Sequence, residues 1–309
     1  MMWSMLRLLL LGIIAISACS RNAINPYDLA KSIDSHNVDW ASIWRKLGVT
    51  DPPDIPRCDP SSGLLCSAAA ITVFNPSQVI VAVFGPEDVY LRFLEAGSGW
   101  RYAGNYIAIE KNFGQRYEIS RRFDKSFLRV STQGANGSNW DSEIEAWFDL
   151  SLPDFKPVFG FTAQGSENRM GLGISREVHA GVLGWGSDPD TIDLDVEIRY
   201  SSGYDIDLGF ARYKATYERP AKKAEYSLRE VRPFQSDSPA ISNKAFEDLA
   251  DIVDDGISNE QLLIYTQPRL KQIASGLNAD AKDWLRSVLS VCKDTPEKRT
   301  LQALLQNKR

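Results

Sequence analysis

Thr191-Ile192-Asp193-Leu194-Asp195-Val196-Glu197-Ile198-Arg199-Tyr200, continued through Ser201-Ser202-Gly203 into Tyr204-Asp205-Ile206-Asp207-Leu208, is the stretch on which the fold turns. Side chains on a β-strand alternate between its two faces. Ile192, Leu194, Val196, Ile198 and Tyr200 therefore share an apolar face, and Asp193, Asp195, Glu197 and Arg199 stand on a wet one. The pattern predicts an antiparallel hairpin with one covered face, turning at Ser201-Ser202-Gly203. Past Gly209 the apolar parity passes to Ala211, Tyr213, Ala215 and Tyr217, which predicts a β-bulge.

The same period extends outward over residues 67–232, in short runs broken by Gly, Asn, Asp and Pro. Residues 79–84 are apolar at every position, as a central strand covered on both faces requires. Phe93, Ile107, Ile109, Ile119, Val130 and Val158 mark neighbouring runs. About ten to twelve strands without intervening helices predict a mainly β fold, an antiparallel β-sandwich or a barrel-like domain.

After Pro233 the period changes to 3.6 and predicts a small α-helical C-terminal module over residues 239–309. Ser242 caps a helix carrying Ala245, Phe246, Leu249 and Val253 that Gly256 ends, and Ser258 with Gln261 forms a capping box for the next, which stops near Gly276. Asn278 starts a third, with Trp284, Leu285, Val288, Leu289 and a buried Cys292 on one face, and Thr295-Pro296-Glu297 opens a fourth. Residues 268–309 hold nine Lys or Arg against four acids, and residues 237–256 six acids against one Lys. Such asymmetry reads as solvated helix faces or as a docking surface for a partner or anionic headgroups.

Upstream of the strands, residues 19–66 form an N-terminal helical segment and a Pro-rich linker. Residues 26–48 read as helical, with Trp40 and Trp44 four apart as packing residues. Asp51-Pro52-Pro53-Asp54-Ile55-Pro56 cannot continue a helix. Residues 1–18 have the plan of a signal peptide: Arg7, an uncharged run over 8–16 that is too short to span a bilayer, then small residues. Ile16-Ser17-Ala18-Cys19 resembles the lipobox of bacterial lipoproteins. That resemblance, confined to about the first twenty residues, implies cleavage before Cys19 and acylation of its thiol and new amine. It implies a chain exported and lipid-anchored to the cell membrane or outer membrane, facing the periplasm or cell surface; Ser20 after the cysteine is similar to the pattern that permits transfer to the outer membrane.

A chain of 309 residues, 43% hydrophobic and 24% charged, is long enough for a sizeable core, and its net charge of -5 argues against nucleic acid as the partner. In an oxidising compartment Cys58 and Cys66, eight apart, are expected to form a disulfide worth roughly 2 to 3 kcal/mol. With only His36 and His179 in the chain, neither a zinc site nor a Ser-His-Asp triad is expected, and no cofactor is implied.

Two groups of residues are candidates for a site. Asp141, Glu143 and Glu145, beside Trp147, project from one side of a strand at spacings of roughly 6.5 to 7 Å, a scale at which acid pairs hydrolyse glycosides. The arrangement resembles the acidic strand of sandwich-fold glucanases, but its order of Asp, Glu, Glu departs from that family's Glu, Asp, Glu. Trp100, Tyr102, Tyr106 and Trp185 adjoin Gly-rich turns, where aromatics can stack on sugars or peptides. Asp188, Asp190, Asp193 and Asp195 could offer oxygens to calcium, but the spacing of a calcium loop is absent. The favoured reading is a non-enzymatic binding or structural lipoprotein that meets an envelope protein or glycan. The alternative is an envelope glycan-active hydrolase using the acidic strand.

Overall fold

The structure is a computed structural model. It describes residues 24–33, 38–55, 66–73, 75, 77–85, 87–109, 117–136, 140–169, 173–185, 188, 190–202, 206–234, 238–252 and 259–306. Among the described residues twelve strands form two antiparallel sheets, and helices follow them at the C-terminal end. The chain divides into two compact units: one takes the described residues of 24–109 together with 150–156, the other those of 117–149 and 157–306. The β run over 67–232 thus supplies strands to both. Cys19 and Cys58 lie outside the described residues.

In the first unit, α1 (Pro26–Ser32) and α2 (Trp40–Leu47) precede β1 (Ser67–Thr72), β2 (Gln78–Phe84), β3 (Glu87–Ala96) and β4 (Gly99–Ile109), which form a sheet in that order. The helical stretch over 26–48 is two helices because it holds two start signals. Asn25 Oδ1 accepts from the Tyr27 N–H and Asp39 Oδ1 from the Ser42 N–H, both at 2.9 Å. Gly48, at φ 73°, ends the second in the left-handed conformation. Strand β2 is buried along nearly its whole length. Val81 and Val83 join Val89, Leu91 and Phe93 in packing against Leu29, Ile43 and Trp44.

Across β2 and β3, Gln78 and Arg92 bind the segment 150–156 to the sheet. Arg92 donates to Gln78 Oε1 (2.8 and 3.2 Å), to the Leu150 carbonyl (2.6 Å) and to the Leu152 carbonyl (2.7 Å), and its guanidinium lies 6.0 Å from the Phe155 ring centre. Cys66 is buried and is not a free thiol. A Cβ on Gly85 would come within 2.7 Å of its sulfur, so only glycine fits there.

The second unit is an open meander in which each strand bonds to the next: β5 (Tyr117–Arg122), β6 (Lys125–Asn136), β7 (Trp140–Asp149), β8 (Phe159–Arg169), β9 (Ile174–Trp185), β10 (Thr191–Ser202), β11 (Asp207–Glu218) and β12 (Ser227–Pro233). Neither sheet closes on itself among the described residues, so sheets and not a barrel describe the fold. In the expected hairpin Leu194 faces Ala215 and Val196 faces Tyr213, all buried. The register shifts between Tyr200 and Ser201, beside Gly209 at φ 96°, which is the expected bulge.

The C-terminal helices are α3 (Asn243–Ala250), α4 (Asn259–Ile273), α5 (Ala279–Val291) and α6 (Pro296–Gln306). Their caps match the sequence signals: Ser242 Oγ accepts from Ala245 N (3.2 Å), Asn278 Oδ1 from Ala281 N (2.8 Å) and Thr295 Oγ1 from Lys298 N (3.2 Å). Helix α3 stops at Ala250, short of Gly256; Val253, Gly256 and Ser258 lie outside the described residues. The helices share the sheet's core. Phe246 meets Tyr213 edge-on at 5.9 Å, a Cβ on Gly173 would strike the Trp284 indole at 2.8 Å, and Cys292 is buried.

Candidate functional site

The first unit holds a pocket of about 490 Å³ lined by Val38, Asp39, Trp40, Ala41 and Trp44 on one side and residues 52–55 on the other. The four-residue spacing puts both tryptophans on one face of α2, where their rings stack at 5.5 Å and 21°. Both are packing residues, as the sequence suggests, with Trp44 2% exposed. Each indole Nε1 is enclosed within the protein, and neither has a hydrogen-bond acceptor among the described residues. An enclosed donor without a partner costs about 1 to 3 kcal/mol. Asp39 and Asp54 are exposed members of the wall, and the described lining contains no cationic side chain. The enclosed N–H groups are not part of the accessible wall, which presents mainly apolar residues and two exposed acidic ones.

The four aromatics singled out beside Gly-rich turns do not form one platform. The turn after β3 occupies only Gly97 and Ser98, so Trp100, Tyr102 and Tyr106 are strand residues of β4. Trp100 and Tyr102 pack against the first unit's core, where Trp100 meets Tyr27 edge-on at 6.2 Å. Tyr102 donates to Asn105 Oδ1 at 2.5 Å, and burial pushes its hydroxyl up to about 12. Tyr106 pairs with Tyr90 beyond a shift in register opposite Arg92, which sets it on the other face from Tyr102. Trp185 ends β9 in the second unit, and its side chain lies outside the described residues.

Asp141, Glu143 and Glu145 do lie on one face of β7, with Trp147. Glu145, however, is held by Arg129 through both oxygens (3.0 and 2.8 Å), and the Trp147 indole donates to it at 2.5 Å. Arg129 also pairs with Glu118 at 2.6 Å. Glu145 is thus committed to an ion pair, and none of the three acids lines either of the two pockets described. The other pocket is an open concavity on the wet face, lined by His179, Gly181, Leu183, Asp195, Glu197 and Arg212 among others. Its cation is spent: Arg212 grips Asp195 with two nitrogens and lies 4.6 Å over the Phe234 ring.

The remaining acids of the hairpin are paired in the same way. Asp193 takes Lys214 (2.8 Å) and Thr216 (2.7 Å); burial raises its pKa, and these two partners more than reverse that, leaving it lowered. Asp190 accepts from Lys125 (2.9 Å) and Arg219 (2.7 Å), and the Lys125 bond, outweighing burial and joined by Arg219, lowers it. No group of three or more His, Cys, Asp or Glu able to hold a metal occurs among the described residues.

Sequence reading missed two arginines of the second unit, one buried and one half-buried. Arg219 joins Asp149 (2.7 Å) to Asp190 and lies 5.3 Å over the Tyr226 ring. Arg176, 1% exposed, pairs with Glu167 (2.7 Å) and donates to the carbonyls of Asp248, Leu249 and Asp251 at the end of α3. It satisfies the carbonyls that a helix leaves open at its C-terminus. Their partners lie far off in sequence, so no local signal marks them. The pocket had half a signal, in Trp40 and Trp44.

No protein-family model, no curated protein and no solved structure matches the chain.

Proposed function

We propose that the chain is a lipid-anchored cell-envelope protein that binds its ligand without transforming it, held to the membrane by acylated Cys19 and using the Trp40/Trp44 pocket. The observation that carries the binding reading is that pocket: its described lining is mainly apolar and carries the exposed acids Asp39 and Asp54, whereas Glu145 and the hairpin acids Asp193 and Asp195 are committed to cations. The anchor rests on Ile16-Ser17-Ala18-Cys19. Two or three acyl chains suffice for stable attachment where one does not. The partner is an envelope protein or glycan, and a Cys58–Cys66 bridge closes the loop that follows the pocket.

Intact mass spectrometry of the membrane fraction of a bacterial host tests the anchor. The expected species begins at Cys19 and carries the added diacylglyceryl mass, which Cys19→Ala abolishes. A soluble chain without lipid overturns the anchor. The same spectra, before and after reduction, show whether the mature chain gains the two hydrogens of one opened disulfide.

A further inference from the structure

Strands β8 and β9 stay together for only part of their length. They pair from Arg169 with Ile174 to Gln164 with His179 and then part: residues 159–163 keep only β7 as a neighbour, and residues 180–185 only β10. Each strand has a register shift where they separate, β8 at Ala163 and β9 at Leu183, and such bulges bend a strand. No described residue takes up the two facing edges. The eight-stranded sheet thus contains an internal slot, which opens on the charged face as the concavity of about 490 Å³ lined by Ala163, Gly181 and Leu183 among others.

A strand edge with free N–H and C=O groups is a template for another strand. The β9 side of the slot leaves room for one. Glycine inside a strand weakens it and often marks a place where another backbone comes close. Gly181 is not required by a positive φ or by packing, since a Cβ there would meet nothing within 4 Å, and the same holds for Gly184. Charge then narrows the occupant. Glu143 faces Gln164, Gln164 faces His179 and His179 faces Glu197, so the four share the charged face at the closed end of the slot. Arg212 is taken by Asp195 and Arg199 by Glu197, and Glu143 has no cation among the described residues. The undescribed residues in the turns joining β6 to β11, which are 137–139, 170–172, 186–187, 189 and 203–205, include no Lys or Arg. We infer that the slot takes an extended peptide segment of a partner protein, added as a strand to the edge of β9 at residues 180–184, with a basic side chain turned to Glu143. This site is separate from the lipid anchor and from the Trp40/Trp44 pocket.

The test is fluorescence anisotropy of the mature chain carrying Cys19→Ala, so that no acyl chain takes part, with short, labelled, end-blocked peptides. One alternates lysine and valine, one has glutamate in place of lysine, and one is the lysine peptide N-methylated at every second amide, which keeps the charge and removes ladder donors. The lysine peptide is expected to bind, and the other two at least about tenfold more weakly. Gly181→Val sets a branched side chain in the open slot; it is expected to fold, as circular dichroism melting checks, and to weaken binding at least about tenfold. Gly184→Val repeats the test should the first variant melt early. Glu143→Gln is expected to cost the lysine peptide about threefold. No binding of the lysine peptide, binding indifferent to N-methylation, or unchanged affinity in a folded glycine variant overturns the inference. A dimer in sedimentation that Gly181→Val dissolves, with no peptide bound, puts a second copy of the chain in the slot and overturns it too.

Discussion

Strands β2 and β10 solve the same problem in opposite ways. Strand β2, at the centre of the four-stranded sheet, is apolar throughout and buried on both faces. Strand β10 buries Ile192, Leu194, Val196, Ile198 and Tyr200 and gives its other face to charges, each matched by a neighbour on β11 or on its own strand. The polar groups of the first unit are held by amide and carbonyl oxygens, as Arg92 is by Gln78, Leu150 and Leu152. Those of the second mostly meet an opposite charge, as Arg219 meets Asp149 and Asp190, and Arg176 meets Glu167 besides its three carbonyls.

The largest expected effect lies where charge is most deeply buried. Asp149→Ala leaves Arg219, only 10% exposed, without its fully enclosed partner, and should cost about 3 to 5 kcal/mol in urea unfolding. Asp149→Ala combined with Arg219→Met should recover part of that; no recovery would mean that the loss is one of packing. Next comes Ile80→Ala on β2, fully buried, at about 2 to 5 kcal/mol. Its counterpart Glu197→Ala on the wet face of β10 should stay within about 0.5 kcal/mol. Equal losses at the two positions would break the contrast between the sheets.

The smallest effect is in acid. Asp190 and Asp193 have lowered pKa values in the folded chain, so their contribution is whole above the ordinary carboxylate value of 3.8 and is lost as the pH falls below it towards the folded values. The melting temperature should drop as the pH falls from about 4 to below about 3. Lys214→Met, by removing one cause of the Asp193 shift, should blunt that drop. A melting temperature that stays flat down to about pH 3 would show that the charged face contributes nothing there.

What could be read in advance was local or periodic. The alternation of residues 191–200 fixes which side chains share a face, and each cap needs only a residue and the amide three positions on, as at Ser242 and Asn278. The Gly209 bulge was legible because parity breaks there. Partners were not: a period says which way Arg219 points, not that Asp149, seventy residues earlier, waits for it. Trp100 and Tyr102 were placed beside a turn because glycines flank them, but the strand resumes at Gly99. The pocket was half legible, since Trp40 and Trp44 show their common face while the wall opposite depends on how a proline loop folds back.

The attachment of residues 150–156 to the first sheet has a consequence for assembly. The first unit has no single contiguous stretch of chain: its closing segment sits between β7 and β8 of the second. A chain emerging from its N-terminus presents Gln78 and Arg92 well before the carbonyls of Leu150 and Leu152 that complete them. Four strands must wait for three more to pass, and neither half can be cut out, transplanted or exchanged as a free-standing cassette without opening the other.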